Sequence, residues 1–511
     1  MEKLVLLFKK IHLNRNNLVI LLLSLYLFVI ASGSVGNFRL LFVFSFATSI
    51  AIFYLLKNLF FSFFLTSITS LAIFVPNKYY TVEVIKGSEI FLPEFRSGYF
   101  LGYGLNISNV LLIFSSIFLT YYLYLHKSSV FLIIKKNVSL FILCSSGWLV
   151  FLLVSLFSSI YISFSPELST VWLIQYMQFV IVAIGVLVSY FLGKDKFQLI
   201  IKVVALSMLF QFFIGVTQFV LQSHIGLVIE QSRGGAFYTG LDENNAIFRI
   251  DGTFMYSNQL ALVSIILFSI LAPTLILKNN TFVFASGLAA IVVILFTQSR
   301  VIWLALCLLL IMTIKIYSRP IATLLARTYS SINLGKVILI LLISSIFLFT
   351  TLPRIQKSVN FFADGSGGKL RYKMIIEGFE ALTASPWIGY GVGTNEYVLH
   401  KLFPEGIMSI FPAAIHFGFL QMLLEFGCLG LLGLLFPFVV ILRTIMTTKC
   451  TKKYLNRELT EYKYIFLSGT MSAVLYYSIQ PHVGIVEFSY LGLIVGFGLL
   501  YSILIKEDHH A

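Results

Sequence analysis

Three arginines and one histidine could do polar chemistry beside long apolar runs in this 511-residue chain. Arg300 closes the short turn Thr297-Gln-Ser-Arg between two apolar runs of about 17 residues, close to span length. Arg249 lies just before an apolar run that begins at residue 257, and Arg371 lies on a helical stretch near Lys369 to Leu382. A guanidinium stays charged and offers a planar fork that matches phosphate oxygens bidentately, so a cluster of three could hold a diphosphate without a metal. Each has a plainer alternative: Arg300 can snorkel, Arg249 can pair with Asp251, and Arg371 can pair with Glu377. His416 stands at the mouth of a later run, where a neutral imidazole could take a proton from an attacking hydroxyl or serve structure alone.

His416 belongs to the Pro386 to Gly430 stretch, which mixes glycines and charges into a chain that is 59% hydrophobic. Glu425 invites pairing with His416. Nine residues at about 100° each put the two on opposite sides of a continuous helix, however, so Gln421, one turn before Glu425, is the expected partner. Both are read as structural support. Gly427, Gly430 and Gly433 are read as a smooth face for close helix packing. The run Gly389-Tyr-Gly-Val-Gly-Thr resembles a nucleotide loop, but no strand precedes it, so it is read as turns. Asp242 and Glu243 lack a third acid or a histidine nearby in sequence, and are a weak metal or base pair.

The elements that must position these residues are set by composition. Only 11% of residues are charged, 16% are aromatic, and mean hydropathy is +0.94, which points to an all-α polytopic membrane protein. Apolar runs predict about fourteen spans: 17–36, 38–56, 58–75, 106–125, 138–162, 168–192, 199–221, 257–277, 281–297, 301–317, 337–352, 413–441, 464–480 and 489–505. The first is read as a retained anchor rather than a signal peptide, because many spans follow it. With both termini in the cytoplasm, the inner segments hold 23 of the 36 Lys and Arg and 6 of the 21 acids. The net charge of +15 is therefore topological and implies no nucleic acid. Of the four cysteines none falls in an outer loop, so neither a disulfide framework nor a Cys-rich metal site is implied.

Three outer segments are long. Pro76 to Leu105 suggests no chemistry, Gln222 to Tyr256 carries Arg233, Asp242, Glu243 and Arg249, and Pro353 to Pro412 carries Arg371 on an amphipathic surface helix stopped by Pro386 and Gly389. The inner loop Arg443 to Lys463 is basic, as the positive-inside bias expects.

In this order the pieces resemble the O-antigen ligase and O-antigen polymerase superfamily of bacterial membrane glycosyltransferases. The resemblance rests on Arg249-Ile-Asp-Gly-Thr-Phe with Asn258, on Thr297-Gln-Ser-Arg300, on Arg371 ahead of Ser385-Pro-Trp-Ile-Gly-Tyr-Gly-Val-Gly-Thr-Asn395, and on His416 with Leu420, Glu425, Gly427 and Gly430. It spans about residues 200 to 441. It implies a GT-C-like helical fold divided into N-terminal transmembrane helices (1–199), a ligase-like core with outer loops 222–256 and 353–412 (200–441), and an inner loop with C-terminal helices (442–511). It also implies an inverting transfer, without metal or cofactor, from an undecaprenyl-diphosphate-linked glycan to a glycan or lipid-linked acceptor at the outer face of the cytoplasmic membrane. Arg249, Arg300 and Arg371 would then hold the departing diphosphate, and His416 would orient or deprotonate the attacking hydroxyl. Membrane lipid and other polysaccharide-assembly proteins are the implied partners. Two departures stand out: Phe417 follows His416 where the family commonly has asparagine, and Tyr256-Ser-Asn replaces an Asn-Pro-Asn-like run. The rival from another class is a lipid-linked oligosaccharide flippase or exporter, which would need polar residues along the middle of many spans. A membrane acyltransferase would use the histidine but not three outer arginines.

Overall fold

The computed structural model describes residues 14–32, 38–73, 107–126, 134–227, 238–239, 247–254, 256–277, 280–317, 367–410, 414–448, 455–480 and 485–510. In chain order the helices are α1 (Arg15–Ala31), α2 (Phe38–Leu56), α3 (Leu59–Ser70), α4 (Ile107–Leu125), α5 (Val138–Phe157), α6 (Pro166–Tyr176), α7 (Gln178–Phe191) and α8 (Lys194–Leu221). A two-residue antiparallel pair, β1 (Tyr238–Thr239) and β2 (Ile247–Phe248), follows. Then come α9 (Ser257–Leu277), α10 (Thr281–Phe296), α11 (Arg300–Ile316), α12 (Gly367–Ala384), α13 (Asn395–Leu402), α14 (Ile407–Ile410), α15 (Gly418–Thr447), α16 (Leu455–Tyr477) and α17 (Ile485–His510).

Helices occupy every expected span except 337–352, which lies outside the described residues, as do the 76–105 loop, Arg233, Asp242 and Glu243. Eight helical stretches among the described residues are long and apolar enough to cross a membrane. The expected count of fourteen is not reached there: α1, α3, α10 and α11 are shorter helices of 17, 12, 16 and 17 residues, α16 is not among the eight, and 337–352 lies outside the described residues. The 168–192 run forms two helices, α6 and α7, that meet at Met177 and together make one such stretch.

Polar residues are absorbed locally, as an apolar setting demands. Asn58 caps α3 by accepting the Phe61 amide at 2.8 Å, and along α3 the hydroxyls of Ser62, Thr66, Ser67, Thr69 and Ser70 donate to carbonyls one turn back. The spans α9 and α17 form the centre, being almost wholly buried over their apolar windows, while α4 and α5 expose Tyr121, Leu125, Leu149 and Leu153 outward. α15 lies directly on α5, since a Cβ at Gly433 would meet the Phe151 amide nitrogen at 2.6 Å and the Gly147 carbonyl at 2.8 Å.

α15 is not continuous. Gly427 has φ 66° and ψ 175°, and the chain from Pro386 to Gly391 fills the break. The amides of Tyr390 and Gly391 donate to the Leu424 and Glu425 carbonyls at 2.7 and 3.1 Å, while those of Cys428 and Leu429 donate to Pro386 and Trp387 at 2.8 and 3.1 Å. Hydrogen bonds lost within the helix are thereby replaced from outside it. The expectation that Gly427 serves only smooth packing is corrected: it sits where helical φ/ψ ends and another backbone enters.

Candidate functional site

Arg249 lies between β2 and α9, and the arm that carries it is held from below by α8. The Gln218 side chain donates to Asp251 Oδ1 and to the Gly252 carbonyl, both at 3.0 Å, and accepts the Gly252 amide at 2.9 Å. Two turns earlier Gln211 accepts the Thr253 amide at 3.1 Å. Asp251 is fully buried and also meets His224 Nε2 at 3.1 Å. These bonds fix the Asp251–Thr253 turn, and the Arg249 guanidinium then reaches away from it.

That guanidinium donates through Nε to the Thr297 carbonyl at 3.0 Å and through Nη2 to Asn258 Oδ1 at 2.7 Å. Thr297 begins the turn that ends at Arg300, so the two arginine-bearing segments are in direct contact. Within the turn Gln298 adopts φ 53° and is buried together with Ser299, whereas Arg300, the first residue of α11, is exposed. A cation at a helix N-terminus opposes the helix dipole. In return, the leading amides of that first turn and the guanidinium together attract an anion.

On the other side α12 packs on the start of α15, with Gly378 against Leu420 and Ile415. The buried face is Met374, Gly378 and Ala381, while Phe379 is exposed. The reason is that the contacted stripe follows residues 374, 378 and 381, which turns Phe379 away from α15. Arg371, half-buried on α12, acts electrostatically on His416. Burial is the main cause, and the Arg371 charge the second, of a His416 imidazole held down to about 3, so the ring is neutral at working pH. Its Nδ1 lies 2.9 Å from the Ala414 carbonyl, which can only accept, so the ring proton is on Nδ1 and Nε2 carries the lone pair.

His416 is not on α15, which begins at Gly418, so the helical-angle argument against a Glu425 partnership does not apply to it. Glu425 is instead held by α13 and by its own helix: Oε1 accepts from Asn395 Nδ2 at 2.7 Å and from Gln421 Nε2 at 3.2 Å. Asn395 Oδ1 in turn accepts the Ile415 amide at 3.4 Å, which ties Glu425 to the residue before His416. Glu425 is fully buried, and its Oε2 has no hydrogen-bond partner among the described residues. It shares a cavity of about 20 Å3, room for a single water, with Glu396, Asn395, Gln421, Trp172 and Tyr176. Burial and the Glu425 carboxylate push Glu396 up to about 8.

The structure thus brings Arg249 to the Arg300 turn, Arg371 to His416, and Gln421 to Glu425. Sequence reasoning missed Glu396 and the bridging role of Asn395. Glu396 directly follows the quoted glycine-rich run, and an acid there was the available signal. Among the described residues, no group of three or more His, Cys, Asp or Glu is placed to hold a metal ion.

Residues 285–435 match a family model described as O-antigen ligase (Wzy_C), a match that takes in Arg300, Arg371, His416, Gln421 and Glu425 and leaves out Arg249. No curated protein matches the chain.

Proposed function

We propose that this chain, whose residues 285–435 match an O-antigen ligase family model, is a member of the O-antigen ligase and polymerase family and transfers a glycan from undecaprenyl diphosphate to a sugar hydroxyl. The reaction runs at the outer face of the cytoplasmic membrane, with inversion and without a metal, on a fourteen-span chain whose termini are both cytoplasmic. Its functional core extends beyond the matched domain to 200–441, because Arg249 and the α8 glutamines that brace it lie before residue 285.

The observation that carries this reading is the Arg249–Thr297 contact, which gathers two guanidinium-bearing segments at the N-terminus of α11. Donor diphosphate binds there, with Arg371 completing the charge. The acceptor oxygen attacks the anomeric carbon, the bond to the diphosphate oxygen breaks with its electron pair, and the acceptor proton passes to Nε2 of His416. The guanidinium groups stabilise charge that grows on the leaving group, which is where preorganised donors contribute most. Donor charge beside Arg371 also offsets one cause of the weak basicity of His416, so the base strengthens once the donor is seated.

Polymerisation is favoured over ligation to a separate acceptor, since ligation to a lipid A core requires an outer-membrane context. Purified protein incubated with diphosphate-linked repeat units tests the reading. A ladder of lengthening products is expected. Transfer only to an added acceptor would make the protein a ligase, and no product under either condition would favour transport.

A further inference from the structure

We infer that Gln480 is a positioning residue that, with Asn258, sets Arg249 in register with the backbone that presents His416. The inference rests on the transfer reading above and assigns a role outside the matched family domain. Asn258 uses both ends of its amide: Oδ1 accepts Arg249 Nη2 at 2.7 Å, and Nδ2 donates to Gln480 Oε1 at 3.0 Å. The backbone carbonyl of Gln480 then accepts the amide of Gly418, two residues after His416, at 3.0 Å. One residue thus touches both halves of the site, its side chain on the arginine side and its main chain on the histidine side.

The placement fits this role. Gln480 is 8% exposed and lies just past the end of α16, where its own amide is anchored to the Tyr476 carbonyl at 2.8 Å. Gly418 is the first residue of α15, whose leading amides have no partner within the helix, so the Gln480 carbonyl meets a real need there. A Cβ at Gly418 would meet that same carbonyl at 2.9 Å, so the two backbones are already in close contact. Arg249 is pinned from the opposite side by Thr297, with Ser257 Oγ donating to its carbonyl at 3.3 Å. Asn258 and Gln480 therefore select one rotamer of a long, flexible side chain, and tie it to the segment that must deliver the acceptor.

The test is a double-mutant cycle on donor turnover and on binding of undecaprenyl diphosphate. Gln480→Leu and Asn258→Leu keep volume and remove the bridge, and each should lower kcat/KM by about 10- to 100-fold. Because both cut the same link, the double variant should be no worse than about threefold below the poorer single variant. Gln480→Glu keeps an acceptor for Asn258 Nδ2 and should recover most of the loss, which a purely structural defect would not allow. Additive losses in the cycle, or a Gln480→Glu variant as impaired as Gln480→Leu with unchanged melting temperature, would overturn the inference. If the wild-type protein transfers nothing, the transfer reading fails, and the lipid-diphosphate binding cycle still judges the bridge by the same non-additivity.

Discussion

His416 shows how strongly context sets the chemistry of one residue. Desolvated by its surroundings and acted on by the Arg371 charge, it is neutral across the working range, with its proton on Nδ1. Arg371→Ala should raise the His416 titration midpoint from about 3, though burial, the larger cause, keeps it below the usual imidazole value. An NMR titration of histidine-labelled protein reads this without any turnover, and an unmoved midpoint would remove Arg371 from the His416 environment. On activity, Arg300→Ala should cost about 10²- to 10³-fold, the usual loss for one preorganised donor to a developing anion. His416→Ala should cost about 10²- to 10⁴-fold, the range for a lost general base. Both variants should insert and express normally, and full transfer by either would break the site assignment. Glu396 gives a different kind of signal. Its carboxyl is held up near 8, above the unfolded value of 4.5, so the folded state prefers it protonated. Its stabilising effect is complete below pH 4.5 and is lost as pH rises to about 8. The melting temperature of wild type should therefore fall across that window, and Glu396→Gln should flatten the fall. An unchanged slope would contradict the burial of this carboxyl.

At the scale of elements, the break in α15 does most to shape the site. It sets Glu425 on the last turn of the first half, and it fixes Asn395 close by through the docked Pro386–Gly391 backbone. Gly427 at φ 66° has no room for a Cβ against the Trp387 carbonyl, and a Cβ at Gly389 would meet the Gly427 amide nitrogen at 2.5 Å. Gly427→Ala or Gly389→Ala combines backbone strain of roughly 1–3 kcal/mol with overpacking of roughly 1–3 kcal/mol. Either should lower the melting temperature markedly and release α13 from α15, whereas a native melting curve would mean that the break can be closed. Nothing local in the sequence announces this feature. The apolar run 413–441 passes through Gly427 without interruption, so hydropathy reads one continuous span, and the partner backbone lies some forty residues earlier, beyond any periodicity window. The helices over the described apolar runs were legible because lipid leaves the chain few alternatives, but how many of them cross was not. Arg249 and Arg300 stood out as candidates because charge beside an apolar run is costly and therefore informative, and His416 because a polar ring stands at the mouth of such a run. Gln480 and the pairing of Glu396 with Glu425 were not, since uncharged amides and acids at helix ends have no distinctive spacing. They become visible only when distant helices are brought together.

For the whole molecule, the arrangement has meaning only if every charged group of the site opens to one side of the membrane. The Arg249 arm and the α10–α11 turn are in contact, α12 packs on the His416 segment, and the Asn258–Gln480 bridge joins the two, so they share a side whatever the orientation of the chain. Basic residues choose which side. The segments expected inside hold 23 of 36, and Lys and Arg resist translocation during insertion. Lys373, exposed on α12, should then face outward, and Lys135, exposed just before α5, should face the cytoplasm. After the native cysteines are replaced, Lys373→Cys should react with a membrane-impermeant maleimide in intact cells, and Lys135→Cys only after lysis. The reverse pattern would put the arginines and His416 in the cytoplasm. A donor exposed only on the outer leaflet could not reach them there, and the proposed transfer would be ruled out even if the site geometry were correct in every distance.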